Sequence, residues 1–190
     1  MVIILEGADL VGKTTLAKKL GLELGIPQTG IWIDLNYPQP SMVSVSKTLK
    51  MVIQALQPNI IFDRSFLSEW VHSKIINREH DYINELIAEW GKIDDLFLVI
   101  TYANDNVLKG RFDVRGDERF SINHILKANV LYQELYSFVN NHITSILLDV
   151  SESTVEQTVG HIVKFIHNQK HEIIKSNKRK DALHTTSGLA

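Results

Sequence analysis

The residues equipped for chemistry begin close to the N-terminus, in the run Gly7-Ala8-Asp9-Leu10-Val11-Gly12-Lys13-Thr14-Thr15. Two glycines five positions apart let the backbone curl until successive N–H groups point inward at phosphate oxygens. Lys13 would then reach the outer phosphates of a nucleoside triphosphate, and the Thr14 hydroxyl would ligate Mg²⁺. A second pair, Asp63-Arg64, offers a carboxylate where a metal-bound phosphate needs negative charge, beside a guanidinium with bidentate donors for phosphate oxygens. A third set, Arg111, Arg115 and Arg119, recurs at every fourth residue. On a helix such positions form one stripe that drifts about 40° per step. Guanidiniums brought over a triphosphate would neutralise charge in a loose phosphoryl-transfer transition state. The chemistry these types and spacings suit is transfer of a phosphoryl group from ATP with Mg²⁺.

Each set also has a bland alternative. The glycine run can be a tight turn, the Asp-Arg pair a surface ion pair at a strand end, and the arginines a solvated charged loop. The elements around them decide. Met1–Glu6 is a short apolar strand, and a helical stretch, Leu16-Ala17-Lys18-Lys19-Leu20, follows the glycine run. Strand, Gly-x-x-x-x-Gly-Lys-Thr, helix is the context a phosphate-binding P-loop requires, and the helix adds its positive dipole end. The first helix should run to about Leu24 and stop at Gly25, with Pro27 just beyond.

Ile31-Trp32-Ile33 reads as a short strand, followed by a polar, proline-broken loop to Pro40. Val45, Leu49, Val52, Ile53 and Leu56 have helical spacing. Asn59–Asp63 reads as a buried parallel strand, so Asp63 and Arg64 stand at its C-terminal end, the edge of an open parallel sheet where ligands sit. Phe66–Ile76 is expected to be helical, and Asp81 to cap a helix carrying Ile83, Leu86, Ile87 and Trp90 and closed by Gly91. Leu96–Ile100 is a core strand. Residues 104–120 form an Arg-rich lid in which Gly116 and Asp117 break the helix, leaving Arg111 and Arg115 as the arginines expected to act. Closure of such a lid would exclude water that otherwise hydrolyses ATP. A helix to about Val139 and a strand over Ile143–Val150 follow. Ser153-Thr154-Val155-Glu156 reads as a capping box opening the last helix, with Val159, Ile162, Val163 and Ile166 on its buried face.

Strands alternating with helices predict an α/β, P-loop NTPase-type three-layer fold: a parallel sheet with helices on both faces and an arginine lid. The kinase domain is expected over 1–168, with 169–190 a polar tail whose Lys175–Lys180 run is basic. At 190 residues and 44% apolar, the chain is one domain able to bury a substantial core. A net charge of −2 gives no bulk basic field for general nucleic-acid binding. The absence of cysteine excludes a disulfide framework, a cysteine zinc site and thiol catalysis. No segment has the length of an apolar membrane span and no signal-peptide layout is visible, so a soluble cytoplasmic protein is expected. The histidines show no ligand-like spacing, and Trp32, Trp70 and Trp90 read as packing residues rather than base platforms.

Glu-Gly-x-Asp-x-x-Gly-Lys-Thr-Thr at Glu6–Thr15 resembles the P-loop of thymidylate kinases. Phe62-Asp63-Arg64-Ser65 resembles their Asp-Arg-Tyr motif and equally the Glu-Arg-Ser motif of deoxynucleoside kinases, with Ser68 found in both. The likeness of layout spans about residues 1–168. It implies that Asp9 bonds the sugar 3′-hydroxyl of an acceptor, that Arg64 holds an acceptor phosphate or the transferred group, and that Asp63 orients Mg²⁺ through water or serves as a base. The resemblance also implies a homodimer. By position alone, Phe66 beside the Asp-Arg pair would wall the acceptor pocket, and Glu6, just before the first glycine, would support the P-loop from within or, as the lesser alternative, approach the acceptor site. The acceptor implied first is a deoxynucleoside monophosphate such as thymidylate. There are departures. The helix before Asp63 lacks the aromatic and arginine that thymidylate kinases use on base and phosphate, and the Arg-Glu-Pro after their second strand is missing. The Glu-Pro-Val-like strand end of deoxynucleoside kinases is answered only by Trp32–Pro38, with Asp34 as that branch's base. A deoxynucleoside acceptor is therefore the alternative. A kinase of another small molecule or a nucleic-acid end is a further one, and so is a non-enzymatic nucleotide switch.

Overall fold

The computed structural model describes residues 1–30, 39–78 and 82–186. Its strands are β1 (Val2–Gly7), β2 (Gln28–Gly30), β3 (Ile60–Asp63), β4 (Leu96–Tyr102) and β5 (Ser145–Asp149). They form one parallel sheet in the order β2-β3-β1-β4-β5. The helices are α1 (Lys13–Leu24), α2 (Gln39–Leu56), α3 (Leu67–Ile75), α4 (Tyr82–Trp90), α5 (Asp105–Arg115), α6 (Ile122–Val139) and α7 (Val155–Thr186).

β1 is the centre of the sheet and is buried along its whole length. A strand covered on both faces should read as a continuous apolar run rather than an alternation, and Val2-Ile3-Ile4-Leu5 does. Its side chains divide between two cores. Val2 and Ile4 join the larger one, with Leu67 and Val71 of α3, Ile83 and Trp90 of α4, and Tyr132 and Leu135 of α6. Ile3 and Leu5 join the other, with Leu16, Ala17 and Leu20 of α1 and Val159, Ile162 and Ile166 of α7. Full burial of each such aliphatic side chain contributes about 1.5–3 kcal/mol.

The parallel register pairs Leu5 with Asp63 and Gly7 with Thr101, bringing the C-terminal ends of β1, β3 and β4 to one edge. Two ties fix α6 to that edge: Asn129 Oδ1 accepts from Ala103 N at 3.2 Å, and its Nδ2 donates to Ala103 O at 2.8 Å. Among the described residues no helix is long and apolar enough to cross a membrane.

Several local expectations are corrected. The second strand is Gln28–Gly30, while Ile31-Trp32-Ile33, and with them Asp34, lie outside the described residues, as does Asp81. α2 begins at Gln39, earlier than the apolar spacing suggested. Pro40 then sits in the first turn, where its missing N–H leaves no bond unmade. The cap of α7 is shifted by one residue: Thr154 Oγ1 accepts from Gln157 N at 3.2 Å and Gln157 Oε1 from Thr154 N at 2.9 Å. The box is Thr154-x-x-Gln157, not Ser153-x-x-Glu156. α7 also continues to Thr186 where a tail was expected from about Gln169. Apolar periodicity fades in that stretch of the sequence but helix propensity does not, because Lys, Glu, Gln, Arg and Ala are good helix formers and no Gly or Pro interrupts 161–186.

Candidate active site

The loop between β1 and α1 is held by its own apolar side chains: Ala8, Leu10 and Val11 are buried. Gly7 has φ 148, and a Cβ on it would lie 2.3 Å from the Thr101 carbonyl oxygen, so nothing larger fits against β4. Gly12, at φ 97, turns the chain into α1, whose positive end therefore faces the loop. Lys13 opens the helix and is 6% exposed, its Nζ donating to Ala8 O at 2.5 Å. Burial, and after it the neighbouring Arg64, bring its ammonium down to about 7. The next residue, Thr14, donates from Oγ1 to Asp63 Oδ2 at 2.6 Å across the β1–β3 edge.

That hydroxyl–carboxylate pair consists of hard oxygen donors, the type Mg²⁺ takes, and it stands at the mouth of the loop beside an exposed Thr15. Among the described residues no cluster of three or more His, Cys, Asp or Glu side chains could cage a metal by itself. Mg²⁺ in phosphate-transfer sites does not need one, since phosphates and water supply its other ligands. The pair fits the ion.

Arg64 follows Asp63 in the left-handed region, φ 78. Its guanidinium, 21% exposed, is turned back over the loop, with Nη2 donating to Asp9 Oδ1 at 2.5 Å. Burial alone would push the Asp9 carboxyl up, but Arg64 and then Lys13 outweigh it and hold the group below its usual value. Nη1 of Arg64 has three oxygens in reach: Tyr132 Oη at 3.1 Å, Ser68 Oγ at 3.3 Å and Gly7 O at 3.4 Å. Beneath lies Glu6, wholly buried, accepting from Ser65 N at 2.7 Å, Ser65 Oγ at 2.8 Å and Ser68 Oγ at 2.7 Å. Burial pushes its carboxyl up, against the opposing pull of Arg64.

On α5, Arg111 donates from Nη1 to Leu10 O at 2.8 Å, a contact that lays the lid helix on the P-loop. Gly116 ends α5, so Arg119 is beyond the helix and the stripe is cut as its sequence suggested. Arg115, one turn past Arg111, stands exposed, as do Glu118 and Arg119. The structure thus gathers Lys13, Thr14, Asp63, Arg64, Asp9, Glu6 and Arg111 around one loop. Phe66 instead packs in the core against Trp90, ring centroids 5.1 Å apart, and is 4% exposed. Trp70 stacks on Phe138 and carries the Lys74 ammonium over its ring. Trp90 donates to Ser46 Oγ at 3.0 Å. Both are packing residues.

Two contributors were not singled out by the sequence. Tyr132 reaches Arg64 from α6, and His72, on the α3 turn after Ser68, lies 3.2 Å through Nδ1 from His124 Nε2. His72 is buried, and burial, followed by Arg64, lowers it to about 4. Its position four residues past Ser68 was the available signal, because i and i+4 share a helix face. Tyr132 left no local signal, since its partner is 68 residues away in sequence.

No family model matches the chain. The SPbeta prophage-derived protein YorR of Bacillus subtilis (strain 168) is 29% identical to it over 147 residues, 74% of this chain and 84% of YorR. The crystal structure of YorR in complex with phosphorylated GDP superposes with a TM-score of 0.69 at 24% identity, covering 90% of this chain and 98% of that one. The chain has the P-loop kinase fold. Two kinases share that fold: thymidylate kinase from Candida albicans superposes at TM-score 0.63 and 20% identity, covering 89% of this chain and 92% of its own. Deoxyadenosine kinase from M. mycoides, with dCMP and dCDP bound, gives TM-score 0.60 and 20% identity over 88% of this chain and 100% of its own.

Proposed function

We propose that this protein moves the γ-phosphoryl group of ATP, with Mg²⁺, onto a deoxynucleoside monophosphate, thymidylate being the first acceptor to try. The observation that carries the reading is the place of Arg64. A partly buried guanidinium sits beside the Thr14–Asp63 pair and bonds Asp9, so a cation and a carboxylate able to accept from a sugar hydroxyl stand together at the loop. An anionic acceptor needs such a cation to overcome repulsion between two phosphates, and needs little base catalysis. Mg²⁺ bound at Thr14 and, through water, at Asp63 would offset charge on the phosphate oxygens. The P-loop amides and Lys13 hold the triphosphate. Arg111 swings from Leu10 O onto the phosphates, joined by Arg115 as the lid closes. Arg64 leaves Asp9 in part to grip the acceptor phosphate, freeing the Asp9 carboxylate for the 3′-hydroxyl.

A deoxynucleoside acceptor is the second reading, favoured by one feature: Asp63 is a strand-end carboxylate that accepts from the Thr14 hydroxyl, and it would serve as a base toward a 5′-hydroxyl. The likeness to deoxyadenosine kinase supports keeping it.

The test is ADP release from Mg²⁺-ATP with a panel of deoxynucleosides and deoxynucleoside monophosphates, guanine included because the YorR complex holds a guanine nucleotide. Turnover with a monophosphate makes Arg64 a phosphate clamp. Turnover with nucleosides alone moves the base role to Asp63. No turnover with any acceptor, despite ATP binding, rejects both. In an active protein Lys13→Ala should lower turnover about a hundredfold, and Asp9→Ala should act chiefly on acceptor KM.

A further inference from the structure

We propose that Tyr132 is a positioning residue for Arg64, reaching it from the helix that follows the lid; the proposal deepens the function above and rests on Arg64 being the acceptor clamp. The first observation is strain. The left-handed region is costly for a residue with a side chain, and Arg64 stands there at φ 78. Its backbone is pinned by a bond from Arg64 N to Leu5 O at 2.9 Å. Its side chain is fixed by something else.

The second observation is the direction of the hydrogens. Arg64 can only donate and an ionised Glu6 can only accept. Between them stand two hydroxyls, each with one hydrogen. Ser68 Oγ, 2.7 Å from Glu6 Oε2, gives its hydrogen there. It therefore receives from Tyr132 Oη, 2.9 Å away, and Tyr132 Oη receives from Arg64 Nη1 at 3.1 Å. The chain Arg64 → Tyr132 → Ser68 → Glu6 satisfies every hydrogen in one sense only. Were Glu6 protonated at Oε2, the direction would reverse at Ser68 and leave the buried Tyr132 hydrogen without an acceptor. Tyr132 is 0% exposed, and burial together with Glu6 pushes its phenol far upward, so it remains a donor.

The consequence is a guanidinium held from two sides. Asp9 takes Nη2 in front and Tyr132 takes Nη1 behind, which leaves Nε and the second Nη2 hydrogen to meet an anion. The front contact must loosen for an acceptor to enter, so the rear contact keeps Arg64 aimed while it does. Because Tyr132 belongs to α6, docked on α3, β1 and β4, the aim depends on where that helix sits.

The experiment uses Tyr132→Phe, which keeps the ring and removes the hydroxyl, and Ser68→Ala, which breaks the chain one step further on. In the full-length protein KM for the monophosphate acceptor should rise about tenfold in each, the size of one lost bond to a charged group, with KM for ATP moving less than about twofold. The double variant should cost no more than the larger single effect, because both cut the same chain. A direct readout needs no turnover: ¹⁵N NMR of the Arg64 guanidinium in the ligand-free protein. Hindered rotation and slow hydrogen exchange in the parent should give way to averaging in Tyr132→Phe. An unchanged acceptor KM with an unchanged Arg64 spectrum, in a variant that retains its melting temperature, overturns the proposal. If the parent turns over no acceptor at all, the functional reading fails while the Arg64 spectrum still decides whether Tyr132 positions it.

Discussion

Nucleotide binding by this protein should take up a proton, and Lys13 is the reason. Its amine is buried against Ala8 O, and burial, then Arg64, leave it at about 7 against an ordinary 10.5. A triphosphate in the loop brings anionic oxygens beside the amine and restores the ammonium form. Above pH 7 the free protein must therefore gain a proton at Lys13 to bind. By linkage, the association constant for Mg²⁺-ATP should fall about ninefold between pH 8 and pH 9 from this group, with no contribution from it below about pH 6. Titration calorimetry at pH 8 in two buffers of different ionisation enthalpy reads the uptake directly. About 0.9 proton per nucleotide is expected, and none in Lys13→Met. The ligand-free protein should show the opposite sign. Between about 7 and 10.5 the unfolded chain holds a proton at Lys13 that the folded chain does not, so stability from this group rises with pH across that window. A binding enthalpy independent of buffer in the parent, or equal uptake in Lys13→Met, would refute the reasoning.

Three further outcomes follow from the geometry. Gly7→Ala should cost about 3 kcal/mol or more, because its Cβ would meet the Thr101 backbone at 2.3 Å in a left-sided φ of 148; a melting temperature equal to the parent's would count against the β1–β4 register at that point. His72, lowered to about 4 by burial and then by Arg64, stays neutral in the fold while the unfolded chain protonates from 6.5 downward. Stability should therefore fall as pH drops through that window, by up to about 1.4 kcal/mol per pH unit, and urea midpoints of His72→Gln should lack that part of the loss. Arg111→Ala should lower kcat about tenfold to a hundredfold at unchanged melting temperature, and Arg115→Ala less, since only Arg111 bonds the P-loop; equal losses would show that the two arginines act as one unit in the closed lid.

What the sequence made legible was whatever depends on neighbours. Gly7 to Thr15 could be read because a tight phosphate loop is specified by residues a few positions apart, and Leu96–Ile100 because a strand buried on both faces has to be apolar throughout. Arg111 and Arg115 were legible as a stripe on one helix. Gly116 was readable as its end. The network behind Arg64 was legible in part: Glu6 was expected as a support from within and Ser68 belonged to the motif, but Tyr132 stands on α6, 68 residues from Arg64 in sequence, and meets it only after the sheet has formed. The start of α7 was misplaced because Ser153-Thr154 offers two overlapping capping frames and only backbone geometry selects between them. Its length was underestimated because apolar spacing was used as the signal, whereas helix propensity continues through residues that carry no such spacing. Phe66 was expected at a pocket wall because it follows the Asp-Arg pair; in the fold it turns inward to Trp90.

The division of β1 between two cores has a consequence for the order in which parts of the molecule open. To free the P-loop backbone, β1 must leave β3 and β4 and surrender side chains on both faces, an event close to global unfolding. α5 has one fully buried residue, Leu108, with Val107 and Phe112 partly buried against the same core, and can detach at the cost of those side chains and the Arg111 bond. Amide hydrogen exchange should therefore show a steep gradient over a short distance, slowest at Ile3–Leu5 and fastest in 105–115. In the proposed kinase reading, such a gradient would let acceptor and product come and go through local breathing of 105–115 while the loop between β1 and α1 keeps its shape from one turnover to the next.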